Sequence, residues 1–383
     1  MPRASPLEVV NRLIAFDTTS RNSNLALIEF AAGILEAAGA KTRFTRDDAG
    51  AKANLFATLG PQRDGGYVLS GHTDVVPVDG QNWSSDPFVP VLREGKLYGR
   101  GTADMKGFIG TALALADEFC QLDLNRPIHF AFSYDEEVGC VGVRRLLADL
   151  AANEIRPALA LIGEPTMMRV VGAHKSGAVI ETLAIGREGH SSAPSAGANA
   201  VMMAGEFIAL LAAFGEELME DRDEHFDPPY TTVQANMVSG GTAVNVLAKE
   251  ARVLWEYRGL PDRNAASLVN DADSRAAADI LPRYRSGAPE ACFRTNVRAA
   301  YPGLVRDPNS TAVQLACRVL GQNEVLAVSY GTEAGLFQEA GISAVVCGPG
   351  SIGEAHKADE FVSLEQIDAC AAFLRRIGGL AAE

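Results

Sequence analysis

The chain has 383 residues, 47% of them hydrophobic, enough for roughly two domains with full cores. Its formal net charge of −14 speaks against nucleic acid or an anionic membrane surface as a partner, and no stretch reaches the ~20 apolar residues that span a bilayer. The six cysteines (Cys120, Cys140, Cys292, Cys317, Cys347, Cys370) form no close pair, and Met1-Pro2-Arg3-Ala4-Ser5-Pro6 contains no apolar signal region, so the expectation is a cytoplasmic protein with reduced thiols.

Residues 7–38 carry helical spacing: Leu7, Val10, Leu13 and Ile14, then Leu27, Ile28, Ala31, Ile34 and Leu35, with Gly39 as a stop. Strands are expected at 54–59 and 66–71, a helix at about 106–120, and further strands at 128–133, 158–162 and 342–347. A last helix is expected at about 363–377. Strands alternating with helices predict an α/β sheet, whose ligands bind beyond the carboxyl ends of the strands. Residues 176–298 differ. Strands with one solvated face at 179–185 and 252–258, helical runs at 198–214 and 263–281, and an acidic connection at 216–230 predict a small α+β insert.

Metal-binding residue types gather where the strands end. His72 and Asp74 follow the strand Tyr67-Val68-Leu69, and their two-residue spacing points both the same way. Asp104 follows a glycine-rich turn, where a carboxylate could bridge two cations or cap the helix after it. Glu136 and Glu137 are adjacent and project differently, so one can bind metal while the other faces water. Glu164 precedes Pro165, and His356 lies beyond Gly348-Pro349-Gly350-Ser351-Ile352-Gly353. Any one of these alone would be an ordinary turn residue. Together they form the histidine and carboxylate set of a metal site. The glycine segment matches G-x-G-x-x-G, but no second strand of a βαβ unit is expected after it, so a dinucleotide site is disfavoured. No G-x-S-x-G elbow occurs, which counts against a serine hydrolase. His129 reads as a core residue, His225 as exposed, and His174 is given no role. His190, in Gly189-His190-Ser191-Ser192, would alone be a surface turn residue.

In this order, from about residue 7 to 375, the segments resemble the dinuclear zinc aminoacylase and carboxypeptidase family. The resemblance implies a mixed-sheet, zinc-exopeptidase-like α/β catalytic domain over 1–175 and 299–383, with an inserted α+β dimerisation or lid domain over 176–298. It implies two zinc ions, replaceable by cobalt, with His72 and Glu164 on one, Glu137 and His356 on the other, and Asp104 bridging ahead of a cis peptide. Glu136 then matches the general base and Asp74 the acid that orients His72. His190 matches a histidine that reaches into the partner subunit's site of a homodimer. Arg258 and Asn245 match substrate-binding positions. The segments Tyr330-Gly331-Thr332-Glu333-Ala334 and His174-Lys175-Ser176-Gly177 are most similar to members that remove the acetyl group from N2-acetyl-L-ornithine in arginine biosynthesis. Thr332 and Glu333 are then further substrate-binding candidates, Glu333 for the side-chain amine. The alternatives are a related amidase of N-acyl amino acids, such as a succinyl-diaminopimelate desuccinylase or an aminoacylase, and a non-catalytic metal-binding dimeric scaffold. Retention of Glu136 disfavours the scaffold.

Overall fold

The computed structural model describes residues 4–383, so the first three residues of the N-terminal segment read above lie outside it. The chain divides into two compact units. The first comprises the described residues through Ala173, Leu304–Leu326 and Thr332–Glu383. The second comprises His174–Gly303 and Ala327–Gly331. Among the described residues no helix is long and apolar enough to cross a membrane.

The first unit is built on an eight-stranded mixed sheet. Its spatial order is Lys41–Arg46, Ala53–Leu59, Ile128–Ser133, Tyr67–His72, Leu159–Pro165, Ser343–Gly348, Val171–His174 and Leu326–Val328. Four neighbouring strands, from Ile128–Ser133 to Ser343–Gly348, run parallel. Their carboxyl ends therefore share one edge. Parallel strands are covered on both faces, and every residue of Tyr67–His72 and Ile128–Ser133 is buried. The helices Leu25–Ala37, Gly107–Ala114, Thr311–Leu320 and Leu364–Ala382 contribute Ile28, Phe108, Ile109, Leu315 and Phe373 to that core.

The helical spacing over 7–38 resolves into two helices, Pro6–Ile14 and Leu25–Ala37. Between them, short polar side chains bond backbone instead of extending a helix. Asp17 Oδ1 accepts from Thr19 N at 3.0 Å, and Thr18 Oγ1 donates to Thr73 O at 2.6 Å. The strand expected at 158–162 continues to Pro165, which places Glu164 within the strand end. A three-residue strand, Phe361–Ser363, does follow the glycine segment, contrary to expectation. It pairs antiparallel with Lys96–Tyr98 outside the large sheet, so it completes no βαβ unit.

The second unit is a four-stranded antiparallel sheet in the order Thr232–Gly240, Glu250–Gly259, Ser176–Ile185 and Cys292–Tyr301. Along Glu250–Gly259 buried and less buried residues alternate. Val253, Trp255 and Tyr257 share a core with Phe207 of the helix Ala200–Leu218 and Ala272 of the helix Ala265–Asp279. The sequence reading missed both outer strands. As edge strands they leave most residues exposed or half-buried, which removes the hydrophobic alternation that would mark them.

Close packing behind the strand that carries Glu164 makes a testable demand. A Cβ at Gly163 would stand 1.9 Å from Cγ of buried Phe108, whereas one at Gly205, within a helix, would meet nothing within 4 Å. Gly163→Ala should cost about 1–3 kcal/mol of stability, and Gly205→Ala should gain roughly 0.5–1 kcal/mol, as read from denaturant midpoints.

Candidate metal centre

His72 ends its strand with only 1% of its side chain exposed. Its Nδ1 lies 2.9 Å from the main-chain oxygen of Asp74. A carbonyl only accepts, so Nδ1 carries the proton and Nε2 faces the acids. Asp104 Oδ1 lies 2.9 Å and Glu164 Oε1 3.7 Å from Nε2. The other oxygen of Asp104 lies 3.2 Å from His356 Nε2, which is also 3.1 Å from Glu137 Oε2. The ligand atoms form two triads, His72–Asp104–Glu164 and Asp104–Glu137–His356, each within 4.8 Å, with Asp104 common to both. The Asp104–Met105 peptide is cis. The helix Gly107–Ala114 has no side-chain cap, so Asp104 does not serve as one.

The electrostatics carry the mark of crowded anions. Burial and the charge of Asp104 push Glu137 up to about 7. The same two causes drive Glu164 well above the carboxylate range. Burial works against charge at Asp104 too, but hydrogen bonds from His356 and His72 hold it low. His356 is drawn up to about 10 by those to Asp104 and Glu137. Burial opposes protonation of His72, yet its bond to Asp104 and the carboxylates around it raise it well above the usual value. Protons thus stand where divalent cations would, and a nitrogen–oxygen donor set with a shared carboxylate fits a pair of such ions.

Asp74 acts on this centre in two ways. Its carbonyl fixes the His72 ring. Its carboxylate, 3.6 Å from Nδ1 and too far for a hydrogen bond, accepts instead from Ser20 Oγ at 2.7 Å and from the backbone N–H groups of Glu136 at 3.0 Å and Glu137 at 3.3 Å. It therefore anchors the turn that carries both glutamates. Glu136 belongs to neither triad. Its carboxylate accepts a weak bond from Cys140 Sγ at 3.4 Å, and burial raises it well above its usual value.

The remaining candidates are placed as follows. Glu333 is 1% exposed, accepts from Ser133 Oγ, and leaves Oε2 without a partner among the described residues; burial pushes it up to about 7. Thr332 is buried, and its Oγ1 accepts from Ala334 N at 3.0 Å. In the second unit, a two-residue ribbon sets His190 opposite Val246, and Ser191 N donates to the carbonyl of Asn245 at 3.0 Å. His190 is exposed, with Nδ1 2.7 Å from Ser192 Oγ. The Arg258 guanidinium bonds Tyr301 Oη and lies 3.2 Å from Glu256. His129 is buried and stacked on Phe56, with burial lowering it to about 4, while His225 is exposed beside Asp223. Sequence reasoning missed Glu360. It is fully buried, and its oxygens accept from the backbone N–H groups of Gly101, Ala103 and Asp104. Its neighbours in the chain, Asp359 and Phe361, show no pattern that marks it.

Two candidate ligand triads share a carboxylate on the carboxyl edge of the parallel strands, beside a half-buried acid that belongs to neither, an arrangement that fits metal-dependent hydrolysis of an amide bond. The chain belongs to peptidase family M20/M25/M40, whose sequence model matches residues 68–378. It is 36% identical over 379 residues to an acetylornithine deacetylase of Myxococcus xanthus, covering 96% of this chain and 95% of that one. It is 35% identical to the acetylornithine deacetylase of Pasteurella multocida, covering 97% of each. Among solved structures it shares its fold with an M20 family metallo-carboxypeptidase from Sulfolobus solfataricus, at a TM-score of 0.76 and 16% identity over 99% of both chains. A tripeptidase from Staphylococcus aureus superposes at a TM-score of 0.72 with 20% identity over 98% of both.

The shared position of Asp104 separates its variants from the others. Asp104→Asn should lose metal at both positions, whereas Glu164→Gln should lose it at one. Elemental analysis of purified protein after dialysis checks the difference.

Proposed function

We propose that this chain hydrolyses the N2-acetyl amide of acetylornithine to ornithine and acetate, with two zinc ions, as a step of arginine biosynthesis. The observation that carries this reading is Glu136, a half-buried acid set beside two candidate metal triads and committed to neither. The acetylornithine deacetylases it resembles, at 33–36% identity over most of the chain, support the choice of substrate.

The ions, when bound, would supply an acidified water and a Lewis acid for the amide carbonyl. His72, Asp104, Glu137, Glu164 and His356 would hold them. Glu136 takes one proton from the attacking water and delivers it to the amine nitrogen as the carbon–nitrogen bond breaks, so acid and base are the same group in turn. Its place outside both triads leaves its carboxylate free for both tasks. Asp74 keeps Glu136 in place through the backbone. Arg258 pairs with the substrate carboxylate, exchanging its contacts with Tyr301 and Glu256. Asn245 and Thr332 contribute polar contacts. The orphaned oxygen of Glu333 supports a role towards the cationic amine of ornithine.

The protein acts as a homodimer in which His190 serves the neighbouring site and steadies the oxyanion. The exposed apolar side chains Met202, Met237, Val238 and Val244 of the second unit support a second copy as partner. The six unpaired cysteines support a reducing, cytoplasmic setting.

Glu136→Gln keeps the shape and removes the proton acceptor. Metal content should stay at the wild-type level while kcat on acetylornithine falls by about 10²–10⁴. The wild-type protein, assayed against a panel of N-acyl amino acids, should show its highest kcat/KM with acetylornithine; a higher value for N-succinyl-diaminopimelate or acetylmethionine would sink the substrate assignment. Service in trans predicts rescue: a His190→Ala protomer mixed with a Glu136→Gln protomer should recover activity above either parent once subunit exchange is verified by tagged pull-down.

A further inference from the structure

The two triads are not held alike. The His72 ring is anchored in the core through Nδ1. The His356 side chain is 53% exposed, and among the described residues its Nδ1 has no hydrogen-bond partner. Its φ of 64° lies in the left-handed region, which residues with a Cβ adopt reluctantly. Something other than the ring must therefore keep this ligand in place.

That support comes through the main chain. Gln81 Nε2 donates to the carbonyl of His356 at 2.8 Å. The orientation of the Gln81 amide is settled by its other end. Oε1 accepts from Arg100 Nη2 at 2.7 Å and from Trp83 Nε1 at 3.0 Å, so a flipped amide would set its NH2 against two donors. Arg100 is buried, lies 5.1 Å from the centre of the Trp83 ring, and donates through Nη1 to Glu360 Oε2 at 2.6 Å. Glu360 in turn accepts from the backbone N–H of Asp104 at 3.0 Å and of Ala103 at 2.8 Å. A continuous run of hydrogen bonds thus joins the backbone of His356 to the backbone of the shared ligand Asp104. A second tie, from Ser84 N and Oγ to Asp359 Oδ1 at 2.9 Å, fastens the loop of Gln81 to the loop of His356.

We infer that Gln81 is a positioning residue for one cation position only, the one formed by Asp104, Glu137 and His356, and that the Gln81–Arg100–Glu360 chain sets the spacing between His356 and Asp104. The inference rests on the two-cation reading above. The position of His72 needs no such strut, because Asp74 supplies its tether from the adjacent backbone.

The test is a titration of metal-free protein with Co²⁺ and with Zn²⁺, followed by calorimetry and, for cobalt, by visible absorption. The wild type should take up two equivalents. Gln81→Leu removes both halves of the amide at similar volume. Its first equivalent should bind as in the wild type and its second about 10- to 100-fold more weakly, the usual effect of losing a group that holds a ligand. Gln81→Glu keeps the acceptor for Arg100 and Trp83 but has no donor for His356, so it should show the same selective loss. The thermal midpoint of metal-free Gln81→Glu should match the wild type, whereas Gln81→Leu, which leaves Trp83 and buried Arg100 without this acceptor, should melt lower. Two equivalents bound normally by either variant would overturn the inference. So would equal weakening of both equivalents in Gln81→Glu with a lowered midpoint, which would make Gln81 a part of the fold. A wild type that takes up one equivalent would instead overturn the two-cation reading, and the inference with it.

Discussion

Negative charge confined to one buried edge is the constraint on which the rest of this structure turns. Asp104, Glu136, Glu137, Glu164 and Glu333 are crowded behind the ends of four parallel strands. Two carboxylates about 4 Å apart repel by roughly 4 kcal/mol even at an effective dielectric constant near 20. Such a cluster persists only with protons or cations between its members. Raised glutamates and charged histidines are what the chain achieves by itself, and bound cations would replace those protons.

The carboxylates sort themselves by what satisfies them. Asp74 and Glu360 are buried acids whose oxygens are taken up by backbone N–H groups, Ser20 or Arg100. Such acids are structural: they fix the turns that carry Glu136, Glu137 and Asp104. Among the described residues, the acids of the two triads have no N–H donors of that kind on their carboxylates and face histidines and one another instead. Candidate ligands and the acids that hold them therefore have the same residue types and opposite hydrogen-bond environments. Glu136 belongs to neither group. It has one weak donor, which leaves it able to exchange a proton.

This division explains what could be read in the sequence. The parallel strands were legible because strands buried on both faces are short, continuous apolar runs, as in Ile128–Ser133. Four of the five triad residues were legible because each ends or lies beyond such a run, and Asp104 because it follows a glycine-rich turn. Asp74 was found by its spacing from His72, but spacing could not reveal that its carbonyl, not its carboxylate, would bond the ring. Glu360, Arg100 and Gln81 were invisible for a related reason. Their partners are backbone groups or residues as many as 275 positions away, as between Gln81 and His356, and no local pattern encodes such a contact. The edge strands Thr232–Gly240 and Cys292–Tyr301 escaped because exposure erased their alternation, and Phe361–Ser363 because three residues carry no period.

The chemistry also divides between the two units. Both candidate ligand triads and Glu136 belong to the first unit, on strand ends and turns locked by buried acids. Arg258, Asn245 and His190 belong to the second, where the guanidinium is half-buried and the histidine exposed. A buried catalytic edge cannot easily change its side chains, because each one balances the charge of another. A separate sheet with its own core around Trp255 has no such debt, since its polar groups are neutralised locally, as Arg258 is by Glu256. The second unit can then vary in sequence while the charge balance of the first stays the same, in keeping with a fold shared by chains only 16–20% identical.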